Sequence, residues 1–323
     1  MTRPSRLPVG VWLFPEAPAT ELVETFAAAE ELGLDEVWIG DEGPAYSDPF
    51  AVLAAAAVRT SRVTLGVAVT NPYLRHPAVT ASAMAAVADL SGGRAILGLG
   101  AGGGVALDPV GIARTEPLRR TKDALRVARA VASGQLTDGY WPPPGATRHE
   151  PLPIYIGARG EAFNRYASAE ADGAFLGGIP FADLGVVVGW TRSVRPVDIA
   201  LYPSVIFDGE DLEWARPRFI FAFLDTPAST RRQAGLSEDE VRQAVESFEQ
   251  GDDGPARRLI TDDVLASLAV IGDPGVIASR LAKLVEAHRP TSIGVCLRTP
   301  QSLQARLEDV REVFTLMSKL LSP

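Results

Sequence analysis

The sequence predicts an α/β fold, a parallel (β/α)8 barrel. Three observations carry that prediction. Short apolar, β-branched runs alternate with longer amphipathic stretches of helical period, and parallel strands need such helical crossovers. The alternation recurs eight times along the chain. The length of 323 residues, with 46% hydrophobic content, suits one barrel with insertions. A doubly wound open sheet is the alternative.

Taken in order, Val9–Phe14 is the first predicted strand. A helix follows from an N-cap at Thr20 to Leu32, with Glu21 and Glu24 in the turn where the helix dipole favours carboxylates, and Gly33 as its C-cap. Glu36–Gly40 is strand two. Asp48 caps a helix over Pro49–Val58, with proline at its first position. Val63–Val69 is strand three, stopped by Thr70-Asn71-Pro72. Pro77–Leu90 is helical and Ala95–Leu99 is strand four. Pro117–Ser133 is a long amphipathic helix. Residues 134–151, with several prolines, Trp141 and His149, read as a surface excursion. Pro153–Ala158, Gly173–Leu176 and Asp198–Phe207 are strands five to seven, with helices at Glu161–Glu170 and Ala182–Ser193 between them. Residues 208–273 read as an insertion between strands seven and eight, with helices at Glu238–Phe248 and Asp263–Ile271. Ile293–Leu297 is strand eight and Gln301–Leu321 the closing helix. The whole of 1–323 reads as a single domain.

The formal net charge of -9 argues against a nucleic-acid partner, because phosphate binding wants a basic face. One cysteine, Cys296, precludes an intrachain disulfide and suits a reducing cytosol. The N-terminus lacks a signal-peptide core, and no apolar run is long enough to cross a membrane, so a cytoplasmic protein is expected. The three histidines, His76, His149 and His288, have no metal-ligand spacing, so no metal site is expected; His76 reads as a capping residue. Neither a phosphate-cradling GxxxxGK[ST] loop nor a GxSxG elbow occurs.

Gly98-Leu99-Gly100-Ala101-Gly102-Gly103 fits GxGxxG after a strand, the pattern of dinucleotide binding. A long basic helix follows where that fold needs a strand ending in an acid, so the glycines read instead as a tight turn or a close approach of bare backbone to a flat ring. Asp41 and Glu42 end strand two at the face where barrels place their sites, and a carboxylate there can hydrogen-bond a ring or hold a proton. A turn aspartate is the plain alternative. Gly157-Ala158-Arg159-Gly160-Glu161 opens a helix, where free amides and an arginine make an anion site.

The linked stretches Gly33–Asp41, Thr70–Gly102, Pro153–Ala158 and Ala171–Gly173 resemble the bacterial luciferase-like superfamily of flavin and deazaflavin oxidoreductases. Within it the chain is most similar to the coenzyme F-420 branch typified by methylenetetrahydromethanopterin reductase. The resemblance implies a luciferase-like barrel that transfers a hydride between F-420 and a small imine, alkene, carbonyl or alcohol. An FMN-dependent monooxygenase is the alternative on the same fold, and a non-catalytic ligand-binding barrel the alternative from another class. The ring is expected against a strand bulge at Ala68, Val69, Thr70 and Asn71, with a cis bond between Ala68 and Val69, and against Gly100 and Gly102. Its phosphate is expected at Ala158, Arg159 and Gly160, with the turn Gly177-Gly178. Asp41 matches an acid of the family; Glu42 stands where a histidine is frequent, and Trp12 where the reductase has a glutamate, making Trp12 a candidate wall of the substrate pocket. Asp41 or Glu42 is the candidate for the proton. The resemblance also implies a homodimer through helices two and three.

Overall fold

The computed structural model describes residues 6–141, 151–157, 159–208, 210–224, 226–299 and 301–322. Strands β1 (Val9–Leu13), β2 (Glu36–Ile39), β3 (Thr64–Thr70), β4 (Ala95–Gly100), β5 (Ile154–Gly157), β6 (Gly173–Gly177), β7 (Asp198–Tyr202), β8 (Ser204–Phe207), β9 (Ala269–Gly272) and β10 (Ser292–Leu297) all pair in parallel. β1 to β7 follow one another in space, β10 lies beside β7, and β1 pairs with β10 to close the barrel. Pro203 splits the predicted seventh strand. β7 meets β10 through Ser292 and Ile293, and β8 meets it through Cys296 and Leu297, so the two pieces fill one barrel position. Proline has no amide to donate to a ladder, which explains the break. The architecture is a (β/α)8 barrel with one extra strand, β9, on the outer edge of β8.

The helices Ala19–Glu31, Pro49–Arg59, Pro77–Ser91, Pro117–Ser133, Glu161–Glu170, Leu184–Thr191, Pro274–His288 and Leu303–Leu321 form the outer ring. Their apolar stripes and the outward faces of the strands make the main core, with Phe26, Leu53, Leu65, Met84 and Leu97 fully buried. Asp48 caps the second helix by accepting from the amides of Phe50 and Ala51, and His76 caps the third through Nδ1. The first helix starts at Ala19 with Pro18 at the cap and no capping side chain, so Thr20 lies inside it.

Inside the barrel, Trp38, Tyr155, Phe175 and Tyr202 pack together as a plug, with Phe175 and Tyr202 stacked and the other ring pairs tilted or edge-on. Glycines on the neighbouring strands make room for it. A Cβ on Gly66 would lie 2.1 Å from the Trp38 ring, and one on Gly294 2.0 Å from Tyr202. At the floor, Glu36 Oε2 accepts from Trp38 Nε1, Tyr202 OH and Ser292 Oγ, and burial raises its carboxyl above the usual range. The plug blocks the barrel from below, leaving the C-terminal mouth as the open end.

Between β8 and β9 the described residues form six helices: Glu210–Arg218, Ile220–Leu224, Ala228–Gln233, Glu238–Glu249, Gly254–Leu259 and Asp262–Leu268. They enclose a separate apolar cluster around Phe219, Ile220, Phe223, Val241 and Leu265. The helix expected over Asp263–Ile271 ends at Leu268, and Ala269–Gly272 is strand β9. Its run Ala-Val-Ile finds an open ladder on β8, and that tertiary pairing overrides the helical continuation.

Candidate active site

The mouth is shaped by an irregularity in β3. Its pairing with β4 shifts between Val67 and Thr70, and the Ala68–Val69 peptide bond is cis. Trp12, at the end of β1, donates its indole N–H to the Ala68 carbonyl at 2.5 Å. Thr70, buried, donates to Asp41 Oδ2 at 2.6 Å, which ties the ends of β2 and β3 together. Asn71 is also buried, and its Oδ1 accepts from the amides of Tyr73 and Leu74, closing the turn that leaves the strand. Asn71 therefore shapes the loop beneath the site.

Gly100 makes room for a neighbouring side chain. A Cβ there would lie 2.5 Å from Val69 Cγ2, and one on Gly157 2.4 Å from Val69 Cγ1. The space those glycines open is filled by the Val69 side chain, which rises into the barrel mouth. The bare backbone of β4 and β5 accommodates the bulge. Gly102 has φ +72 and packs close to Asn71 and Tyr73, joining the loops after β3 and β4.

The carboxylates of the predicted pair differ. Asp41 is half-buried; burial raises its carboxyl, opposed by the Thr70 hydroxyl and the Gly43 amide. Glu42 is pushed up to about 7, first by burial and then by Asp41 and Glu16, against the pull of Arg298 and Arg159. Glu42 Oε1 and the Trp12 ring both crowd the Cα face of Gly40, where a Cβ would lie 2.8 Å from each. Trp12, Glu42 and the bulge thus converge on one corner of the mouth.

Arg159 lies on the opposite side. Its guanidinium sits over the turn after β6, 2.9 Å from where a Cβ of Gly178 would be, and Gly178 has φ +60. One Nη donates to the Ala222 carbonyl at 2.6 Å and to Thr226 Oγ1 at 2.9 Å. Arg159 therefore also clasps the insertion, a role its position in a βα loop did not announce. Gly160 caps the helix Glu161–Glu170 with no side-chain acceptor for its first amides, and Gly177 ends β6 close by. Ala158 lies outside the described residues.

Phe14, Glu16, Trp214, Arg298 and Thr299 went unnoticed in the sequence. They line a cavity of about 510 Å³ beyond the ends of β1 and β10. Trp12 reaches it through an edge contact with Phe14, ring centres 5.9 Å apart. The signal available was Arg298 in Cys296-Leu297-Arg298-Thr299, an arginine one residue past a barrel strand.

A closed parallel barrel plugged below, with a main-chain bulge and half-buried carboxyls at its C-terminal mouth, is a scaffold for ligand chemistry at that mouth. A family model described as luciferase-like monooxygenase matches residues 7–289, and the chain belongs to that family. The 5,10-methylenetetrahydromethanopterin reductase of Archaeoglobus fulgidus is 31% identical over 302 residues, 86% of this chain and 90% of that protein. An F420-dependent glucose-6-phosphate dehydrogenase of Intrasporangium calvum is 36% identical over 174 residues, 47% of this chain and 52% of that one. Among solved structures, the coenzyme F420-dependent tetrahydromethanopterin reductase of Methanopyrus kandleri superposes with a TM-score of 0.82 at 23% identity, covering 98% of this chain and 100% of that one.

Proposed function

We propose that this chain is a coenzyme F-420-dependent oxidoreductase acting on a small organic substrate. The observation that carries the reading is the 31% identity to an F-420-branch reductase across 86% of the chain. The residues present fit such a coenzyme. The bulge at Ala68–Val69 offers an apolar main-chain wall for a flat ring, and Gly160 with the Gly177-Gly178 turn and Arg159 offers amides and a cation for a phosphate. Bound deazaflavin supplies the hydride; the protein's part is to position and to manage a proton. In this reading Val69 backs the ring, Thr70 fixes Asp41 toward it, and Trp12 pins the bulge by its bond to Ala68. Glu42, whose carboxyl titrates near neutrality, holds the proton that accompanies hydride transfer to an imine, alkene or carbonyl.

No described helix is long and apolar enough to cross a membrane. We place the enzyme in the cytoplasm and expect a homodimer through the helices Pro49–Arg59 and Pro77–Ser91, whose outer faces carry Ala51, Ala55, Val58 and Val79. The second reading is an FMN-dependent monooxygenase, favoured by the family model's own description. Equilibrium titration with oxidised F-420 and with FMN separates the two. Micromolar F-420 binding with FMN binding at least tenfold weaker supports the proposal. Preference for FMN together with oxygen consumption by the reduced complex overturns it.

A further inference from the structure

The cavity at the ends of β1 and β10 has features that the coenzyme reading does not use. Its volume of about 510 Å³ is that of a small-molecule site. Phe14 and Leu297 form its barrel wall, Leu303 a side, and Trp214 of the insertion faces them. Arg298 lies across the Phe14 ring, guanidinium carbon 4.0 Å from the ring centre, so the side chain is held flat. Its Nε is buried and has no hydrogen-bond partner. Among the described residues its paired carboxylate is Glu16, 3.6 Å from an Nη and beyond hydrogen-bond distance, with 39% of the Glu16 side chain exposed; Glu21 also lines the cavity. A second guanidinium, Arg218, stacks on Trp214 at 3.8 Å. A planar guanidinium laid on an aromatic ring, with a loosely held carboxylate beside its Nη groups, is an arrangement that can receive a ligand carboxylate through those groups.

We propose that this cavity binds the substrate and that Arg298 selects organic carboxylates, receiving the acid group while Phe14, Leu297 and Trp214 enclose the apolar body. Glu16 holds the place of the ligand's carboxylate in the absence of one and turns to solvent when one arrives. The proposal rests on the oxidoreductase reading for its word "substrate", though not for the binding itself. Arg298 is also electrostatically coupled to Glu42, so an acid group neutralising the guanidinium sits near the proton-holding corner.

The test is calorimetric titration of the protein, alone and loaded with oxidised F-420, with phenylacetate, hydrocinnamate and cinnamate, each against its primary amide. F-420 affinity is measured first, so failure of the coenzyme reading is seen separately. At least one acid is expected to bind tenfold or more tightly than its amide. Arg298→Gln should abolish the preference without changing F-420 affinity or the melting temperature, and Arg298→Lys should restore it only in part. Glu16→Gln should tighten acid binding severalfold, which a merely structural partner of Arg298 would not do. Equal binding of acids and amides, no binding by any of the six probes, or a preference that survives in a folded Arg298→Gln protein would overturn the proposal.

Discussion

At the residue scale, the most informative group is Glu42. Its carboxyl is raised from the ordinary 4.5 to about 7, chiefly by burial. The folded protein holds this proton more tightly than the unfolded chain does. The charged form is therefore resisted, and the cost is absent below the unfolded pKa, grows as pH rises through the window from 4.5 to 7, and is full above it. Glu42→Gln should thus melt higher than the parent at pH 8 and alike at pH 4. In the same variant, hydride transfer to substrate should slow by about 10²–10⁴-fold, and the parent's rate in that direction should fall above pH 7 as the acid form is lost. Thermal melts and pre-steady-state F-420 absorbance measure the two effects. A parent rate flat between pH 6 and 8 would remove Glu42 from the proton's path. The sequence made Asp41 and Glu42 visible as carboxyls at a strand end, but not which of them would be pushed toward neutrality. That division depends on Thr70 and the Gly43 amide reaching Asp41, while Glu42 gains no such donor among the causes of its shift. Arg298 and Trp214 were illegible for a related reason. They are 84 residues apart in sequence, and only barrel closure and the folded insertion bring both to one cavity.

Elements here are joined by contacts whose loss can be measured. Glu30, near the end of the first helix, accepts the amides of Ser61, Arg62 and Val63 and so fixes the approach to β3. Burial works to raise its carboxyl, but the amides of Val63, Arg62 and Ser61 together outweigh it and bring it down to about 2. A depressed acid stabilises the fold above its unfolded value of 4.5, and that contribution fades as pH falls toward 2. Glu30→Gln should cost about 1–2 kcal/mol at pH 7 after allowance for solvent screening, and roughly a quarter of that at pH 2.5, in urea melts. The β3 bulge gives a second case. Gly100→Ala would thrust a methyl to 2.5 Å from Val69, forcing the bulge outward into the mouth. F-420 affinity should fall tenfold or more, and the double variant Gly100→Ala with Val69→Ala should recover most of it. A double-mutant cycle reads that coupling directly, and additive losses would show that Gly100 acts without Val69.

For the whole molecule, the barrel was legible because its evidence is local. Each strand is a short apolar run, and each outer helix carries its own stripe, as in Pro117–Ser133, where Leu125, Val127, Ala128 and Val131 are buried under a basic face. The insertion was legible only in its bounds and in the helix Glu238–Glu249, because its other helices are too short to show a period and its apolar residues answer to one another rather than to the barrel. Its attachment was hidden too. Arg159, read as a phosphate ligand, also spends an Nη on Ala222 and Thr226 of the insertion while lying over Gly178. An anion bound beside Gly160 and an insertion held by the same side chain would then be linked, and linkage acts in both directions. F-420 should slow trypsin cleavage at Arg231, Arg232, Arg242, Arg257 and Arg258 of the insertion, and inorganic phosphate at millimolar concentration should do so weakly. Arg159→Met removes the shared group. It should weaken F-420 binding by about 10–100-fold, consistent with loss of a charged hydrogen bond to phosphate, and hasten cleavage of the insertion even without ligand. The barrel's melt should stay near that of the parent, since the plug at Trp38 and Tyr202 and the outer core do not touch this contact. If the coenzyme protects the insertion equally in the parent and in Arg159→Met, the two sites are joined by something other than this guanidinium. If cleavage is unchanged while affinity falls, Arg159 serves the anion alone.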